Sequence, residues 1–142
     1  MRPPWILALR FAAAGMTQRE EIAMTGYVTV LTTTATEHEA EAIAEAVLAE
    51  GLGACVQILE IRSRYVWRGE VKHEPEQLLL IKTRAELFEI LRGKIRAMHS
   101  YETPEIVALP IAAGDGDYLS WLGNAAGAGQ TAPPQGELPR SG

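Results

Sequence analysis

The side chains in this sequence with chemistry to offer are a few carboxylates, imidazoles and phenols. Glu74 and Glu76 stand two apart in a β-rich run, so a strand puts both on one face. Paired carboxylates of that kind bind a hard cation or raise one another's pKa; on an edge strand they also serve as solvated charge against aggregation. Glu105 follows Thr103-Pro104 and precedes a short apolar run. That position is a sheet end, where a carboxylate closes a salt bridge between subunits or lines a cleft. None of the histidines His38, His73 and His99 has a second ligand at helical i+4 spacing, so no metal site is written into a single helix. His38 reads as an exposed first-turn residue and His73 as part of a hairpin return. His99 ends a helix, where an imidazolium complements the dipole. Cys55 opens a strand with no base placed nearby and reads as a small buried hydrophobe. A lone cysteine excludes an internal disulfide and any multi-cysteine metal centre within one chain. There is no Ser/His/Asp elbow, Walker loop or GxGxxG, and Gly114-Asp-Gly116 reads as a turn before a helix cap. An enzyme would have to work with Glu105 and Tyr101 alone as acid and base, so the chain reads as a non-enzyme.

Those residues need a scaffold, and the pattern supplies one. The 142 residues are 47% hydrophobic and 22% charged, which suits one packed domain. A net charge of -5 argues against wrapping nucleic acid or lying on an anionic membrane. Tyr27 to Thr34 is β-rich. Thr36-Glu-His-Glu39 is a capping box, and Ala40, Ile43, Ala44, Val47 and Leu48 follow as one helical stripe that Gly51 stops. Ala54 to Trp67 is a long strand whose apolar parity changes midway, which predicts a bulge near Ile58–Glu60. Arg68-Gly69 makes a tight hairpin into Glu70 to Lys82, whose Leu78–Ile81 run is apolar on both faces and therefore central. Pro75 places its part of that strand at an edge or a kink. Thr83-Arg-Ala-Glu86 is a second capping box, leading into a stripe of Leu87, Ile90, Leu91, Ile95 and Met98. Gly93 within it costs about 1 kcal/mol against alanine and allows close packing. Ile106 to Ile111 is a last short strand, and Asp115 or Asp117 caps a helix from Tyr118 to Leu122 that ends at Gly123. Tyr118 and Trp121, at i and i+3, pack against core or interface.

The order βαββαβ predicts an α+β, ferredoxin-like sandwich with one bare sheet face. Tyr65, Trp67 and the long hairpin would be exposed in a lone subunit, which predicts a closed homo-oligomer. The domain is expected over residues 25–123. Residues 1–24 form an N-terminal extension; its apolar run of Trp5, Ile6, Leu7 and Leu9 is broken by Arg10 and too short to span a bilayer. Residues 124–142, rich in glycine and proline, form a flexible tail. The unpaired cysteine and the lack of a clean export signal favour the cytoplasm.

Five stretches carry a resemblance. They are Trp67-Arg-Gly69, Glu74-Pro-Glu76, Ile81-Lys82-Thr83, His99-Ser-Tyr101-Glu-Thr103-Pro104-Glu105, and Gly114 to Leu122 with Asp117, Tyr118 and Trp121. In this order they resemble the CutA family of divalent-cation tolerance proteins, over about Val28 to Leu122. The resemblance implies a ferredoxin-like subunit in a homotrimer similar to the PII signalling proteins, linked to tolerance of copper and other divalent cations. It implies a cleft lined by Tyr101, Thr103 and Glu105, with Trp67, Glu76 and Lys82 near subunit contacts, and metal or small-molecule ligands held by His99, Glu76 and Glu105. Family copper ligands on the first strand and just before His99 are replaced here by Thr32 and Met98. The alternative implied is an anchoring trimer that presents its hairpins to a partner protein, with metal binding incidental.

Overall fold

A computed structural model describes residues 25–127; the expected N-terminal extension and residues 128–142 of the expected tail lie outside the described residues. The elements run β1 (Tyr27–Thr34), α1 (Glu37–Ala49), β2 (Cys55–Trp67), β3 (Glu70–Arg84), a 3-10 turn (Ala85–Leu87), α2 (Phe88–Met98), β4 (Ile106–Pro110) and α3 (Gly116–Ala125). The four strands form one sheet in the order β2-β3-β1-β4, antiparallel throughout. This is the expected ferredoxin-like order, with the Leu78–Ile81 run in an interior strand.

Alternation divides each strand between two faces. Val28, Val30, Thr32 and Thr34 of β1 and Leu79, Ile81 and Thr83 of β3 face the helices. Ala40, Ile43 and Val47 of α1 and Leu91 and Ile95 of α2 close over the apolar residues of that face to form the core. Each fully buried Val, Leu or Ile there contributes about 1.5–3 kcal/mol. The opposite face carries Leu31, Leu59, Leu78, Leu80, Val107 and Leu109. Leu59 and Leu109 keep 49% and 53% of their surface exposed. α3 covers one end of this face, where Tyr27 lies against Gly123 and the Lys82 Nζ donates to Tyr118 Oη at 3.2 Å.

The N-terminus of α1 forms as expected on one side only. Thr36 Oγ1 accepts from the Glu39 amide at 3.1 Å. The Glu39 carboxylate, however, turns to Ser100, accepting from its amide at 2.8 Å and its hydroxyl at 2.9 Å. At the other end, Gly51 takes φ +68°, and the Gly51 and Leu52 amides reach back to Leu48 and Val47, so the helix closes as its sequence predicts.

Four local expectations are corrected. β2 and β3 pair without interruption from Cys55↔Lys82 to Trp67↔Glu70, so there is no bulge near Ile58. The parity change arises because Val56 and Ile58 face the helices while Leu59, Ile61, Tyr65 and Trp67 face the other side. The second capping box does not form. Thr83 remains in the strand and donates its hydroxyl to the Leu52 carbonyl at 2.8 Å, and α2 begins only at Phe88 after the 3-10 turn. A side chain added at Gly93 would meet nothing within 4 Å outside its own helix among the described residues, so it is not a packing glycine there. α3 starts at Gly116, with Asp115 accepting from the Tyr118 amide at 3.1 Å, and runs through Gly123 to Ala125. Gly123 is small because the Tyr27 ring occupies the space a side chain would need.

The hairpin turn is a two-residue loop with Arg68 at φ 51° and Gly69 at φ 79°, the left-handed pair that matches strand twist. β1 pairs only with Gln77–Arg84 of β3. The remainder of the hairpin, including Pro75, therefore projects beyond the sheet with β3 as a free edge, where a missing amide costs no ladder bond.

Candidate functional site

Where the hairpin leaves the sheet, a cleft of about 640 Å³ opens on the uncovered face. Its floor is Leu31, Ile61 and Leu78; its walls are the hairpin, with Tyr65 and Trp67, and the segment from Tyr101 to Glu105. Glu76 stands between them, only 7% exposed, opposite Ile61 in the β2–β3 register. Tyr101 donates its hydroxyl to Glu76 Oε2 at 2.8 Å. A second pair stands beside it on the hairpin, Tyr65 donating to Glu74 Oε2 at 2.8 Å.

These contacts set the protonation of the phenols. Burial, then the hydrogen bond to Glu76 and its negative charge, push the Tyr101 pKa far above the ordinary tyrosine value. The hydrogen bond to Glu74 raises that of Tyr65, followed by desolvation. Both phenols thus remain donors at neutral pH, and neither can act as a general base there.

His99 builds the wall. Its side chain is fully buried. Nε2 donates to the Thr33 carbonyl at 2.7 Å, and Nδ1 accepts from the Tyr101 amide at 3.1 Å; these partners assign the Nε2–H tautomer. The ring also lies 4.9 Å from that of Tyr101. Both nitrogens have partners in the chain, with Glu39 Oε1 also 3.5 Å from Nδ1, and they make His99 a pin between the end of β1 and the turn that aims Tyr101.

The cleft thus brings together Trp67, Glu76, Tyr101, Thr103 and Glu105. Lys82, Tyr118 and Trp121 are not with them. They cluster at the far end of the face, with Nζ of Lys82 5.4 Å from the Tyr118 ring centroid and the Tyr118 and Trp121 rings 5.6 Å apart. Cys55 pairs with Lys82 in register at this same end and is half-buried rather than buried. Thr32 and Met98 pack on the helix side, across the sheet from the cleft. His38 is exposed on α1, and His73 on the hairpin. Sequence reading missed Thr33, Glu39 and Ser100, whose bonds to His99 and its neighbour span 61 to 66 residues. No local signal marks them. Among the described residues no three His, Cys, Asp or Glu side chains converge as a metal cage, and no helix is long and apolar enough to cross a membrane.

Comparison with known proteins agrees with this arrangement. Residues 28–125 match the family model described as CutA1 divalent ion tolerance protein. The chain is 48% identical over 94 residues to the divalent-cation tolerance protein CutA of Thermus thermophilus, a match covering 66% of this chain and 91% of the relative. It is 41% identical over 98 residues to the chloroplastic CutA of Arabidopsis thaliana, covering 68% of this chain and 54% of that protein. Among solved structures, Cut A1 of Thermus thermophilus superposes with a TM-score of 0.69 at 45% identity, covering 71% of this chain and 99% of the other. The periplasmic CutA of Archaeoglobus fulgidus does so with a TM-score of 0.69 at 37% identity, covering 70% and 98%. The matched span holds the sheet from Val28 onward, the hairpin and the cleft. This chain belongs to the CutA1 family of divalent ion tolerance proteins.

Proposed function

We propose that this protein is a non-enzymatic, PII-like homotrimeric binding protein of divalent-ion tolerance, whose ligand sites are the Glu76–Tyr101 clefts closed between copies. The observation that carries the reading is the Glu76 carboxylate: nearly buried in a cleft that Arg62 and Arg64 also line, it accepts from the Tyr101 phenol and forms no ion pair within 4 Å among the described residues. A buried anion without a countercharge is costly, which favours a cation or a cationic group arriving from outside the chain. The apolar face around the cleft supports closure by further copies, since exposed Leu59, Val107 and Leu109 form a patch that water solvates poorly. Ligand binding then biases how the copies and their hairpins sit, which is how a partner would read occupancy.

The donor set sets the ligand class. Glu76, Glu105 and Tyr101 supply oxygen, which suits hard divalent ions; soft ligands for Cu(I) are absent from the cleft lining. The cytoplasm is the compartment we propose, on the unpaired Cys55.

Calorimetry of the assembled full chain with Cu(II), Zn(II), Mn(II) and a panel of small metabolites tests the reading. Saturable binding that Glu76→Gln weakens at least tenfold, with the oligomer intact by light scattering, supports it. Binding unaffected by Glu76→Gln, or no binding by any probe, removes it.

A further inference from the structure

A second carboxylate stands beside the cleft that a single bound ion on Glu76 would not use. Glu74 and Glu76 lie opposite Ser63 and Ile61 of β2, so alternation puts both on the cleft side of the hairpin. Two residues of strand separate their Cα atoms by about 7 Å. Each carboxylate accepts from one phenol through Oε2, Glu74 from Tyr65 and Glu76 from Tyr101, both at 2.8 Å. Neither forms an ion pair among the described residues, and in each the Oε1 atom is left without a donor there. Glu76 is the inner of the two, 7% exposed and part of the cleft lining. Glu74 is the outer one, exposed, at the Tyr65 end.

The rest of the lining goes beyond what a metal ion uses. A cleft of about 640 Å³ with an apolar floor and the rings of Tyr65, Trp67 and Tyr101 around it has the size and lining of a small-molecule site. A hydrated metal ion gains nothing from the floor of Leu31, Ile61 and Leu78, whereas a methylene chain does. Aromatic faces also attract ammonium groups. Both phenols stay neutral at neutral pH, so they leave the two negative charges in place. Each phenol oxygen donates its proton to a carboxylate and still has lone pairs to accept with. Each Tyr–Glu pair therefore offers an ammonium group a carboxylate oxygen and a phenol oxygen together. Arg62 and Arg64 pair in register with Pro75 and His73, so alternation sends their side chains to the helix side of β2. They border the cleft along that strand's unpaired edge and bond to neither carboxylate.

We propose that the cleft takes an organic dication, an unbranched terminal diamine whose two ammonium groups are held apart by a short methylene chain. The inner ammonium sits on Glu76 and Tyr101, and the outer one on Glu74 and Tyr65. The chain between them lies over the apolar floor beside Trp67. Carboxylates about 7 Å apart along the strand match an extended chain of about four or five methylenes. A shorter diamine does not reach both pairs, and a monoamine satisfies only one. The inference rests on the cleft reading above and names the class of cation that uses the whole site: divalent, with its two charges on separate atoms. A metal ion carries both charges at one point and leaves the outer Tyr65–Glu74 pair unused.

The test is calorimetry of the full chain at neutral pH with putrescine, n-butylamine, ethylenediamine and Mn(II), on wild type, Glu74→Gln and Glu76→Gln. Putrescine should bind saturably, at least tenfold more tightly than n-butylamine, which has the same carbon chain, and than ethylenediamine. Glu74→Gln should bring putrescine to within about threefold of n-butylamine and leave n-butylamine itself unchanged. Glu76→Gln should weaken both amines at least tenfold. Circular dichroism and light scattering check fold and assembly; Glu74 is exposed, so its variant decides the matter even if Glu76→Gln fails to fold. Putrescine that binds no more tightly than n-butylamine, or that Glu74→Gln does not weaken, overturns the diamine. The cleft reading stands in that case if Glu76→Gln still weakens Mn(II) at least tenfold. No saturable binding by any amine or by the metals and metabolites named above overturns both.

Discussion

Thr32, Thr34 and Thr83 face the same core from neighbouring strands and are all fully buried, yet replacing them by valine should shift stability in opposite directions. The Thr83 hydroxyl donates to Leu52 at 2.8 Å, and that of Thr34 to the Thr36 carbonyl at 2.9 Å. Thr32 Oγ1 has no hydrogen-bond partner among the described residues. Its strand neighbours in register are Leu79 and Ile106, which offer it no side-chain acceptor. A buried hydroxyl without a partner costs about 1–3 kcal/mol in desolvation, and the methyl that replaces it adds about 0.8 kcal/mol of transfer energy in an apolar site. Valine keeps the branched shape the pocket already accepts. Thr32→Val should therefore stabilise the protein by about 1–2 kcal/mol, raising the melting temperature by several degrees. Thr83→Val should destabilise it by about 1–2 kcal/mol, since it removes a made bond. Urea unfolding, read by far-UV circular dichroism at one fixed subunit concentration, measures both; the fixed concentration keeps the mass-action contribution of assembly the same for every variant. If Thr32→Val lost as much stability as Thr83→Val, the Thr32 hydroxyl would have to be satisfied in solution and the reasoning would fail.

Other consequences are quickly checked. The Tyr101 pKa is raised in the folded subunit, so above the ordinary tyrosine value of 10.0 the unfolded chain loses a proton that the folded chain keeps. Stability present below about pH 10 should then fall as the pH rises further. Tyr101→Phe should flatten that alkaline loss and, at neutral pH, cost about 1–3 kcal/mol by leaving Glu76 without its donor; unfolding curves at pH 8 to 11 with absorbance at 295 nm report both effects. Gly93→Ala should stabilise α2 by up to about 1 kcal/mol, because its side chain meets open space. Gly123→Ala should cost about 1–3 kcal/mol despite the same helical preference, because the new methyl meets the Tyr27 hydroxyl. Equal shifts in melting temperature for the two glycines would contradict the α3 packing described here.

What the sequence discloses about the fold depends on the range of the interaction. Composition and periodicity give β1 and α1, the Arg68-Gly69 turn gives the hairpin, and the crossover rules give the ferredoxin-like order, because each of these is a local signal. Signatures that depend on which partner wins are less readable. The Thr-x-x-Glu pattern predicts two capping boxes, and in both a distant group takes one of the side chains: Leu52 takes Thr83, and Ser100 takes Glu39. The predicted bulge fails for a related reason. A parity change implies a geometric defect only where one face is apolar, whereas this sheet has apolar residues on both faces and the ladder runs straight through. For the site, Glu76, Tyr101 and Glu105 were legible as residue types at sheet ends, but the pairing of Tyr101 with Glu76 across 25 residues was not. Nor was the loss of both His99 nitrogens to backbone groups, since no pattern around His99 announces Thr33 as its acceptor.

The cleft and the core are set by one register. Because the side-chain period in a strand is two, sliding β3 by a single residue against β2 would carry Glu76 to the helix side and bring Gln77 into the cleft. It would also move Leu79 and Ile81 out of the core. The uninterrupted ladder fixes this register from the turn at Arg68-Gly69, at the far tip of the hairpin. Gly69 at φ 79° and Arg68 at φ 51° therefore do more than reverse the chain. Their left-handed conformation selects a two-residue loop, and the loop length determines which face every later residue of β3 presents. The core then enforces the same choice from the other end, since only one of the two registers buries Leu79 and Ile81. A carboxylate that would be costly to bury in isolation is thus held at the cleft by the burial of its apolar neighbours in sequence, and the energy that keeps Glu76 in place is mostly hydrophobic.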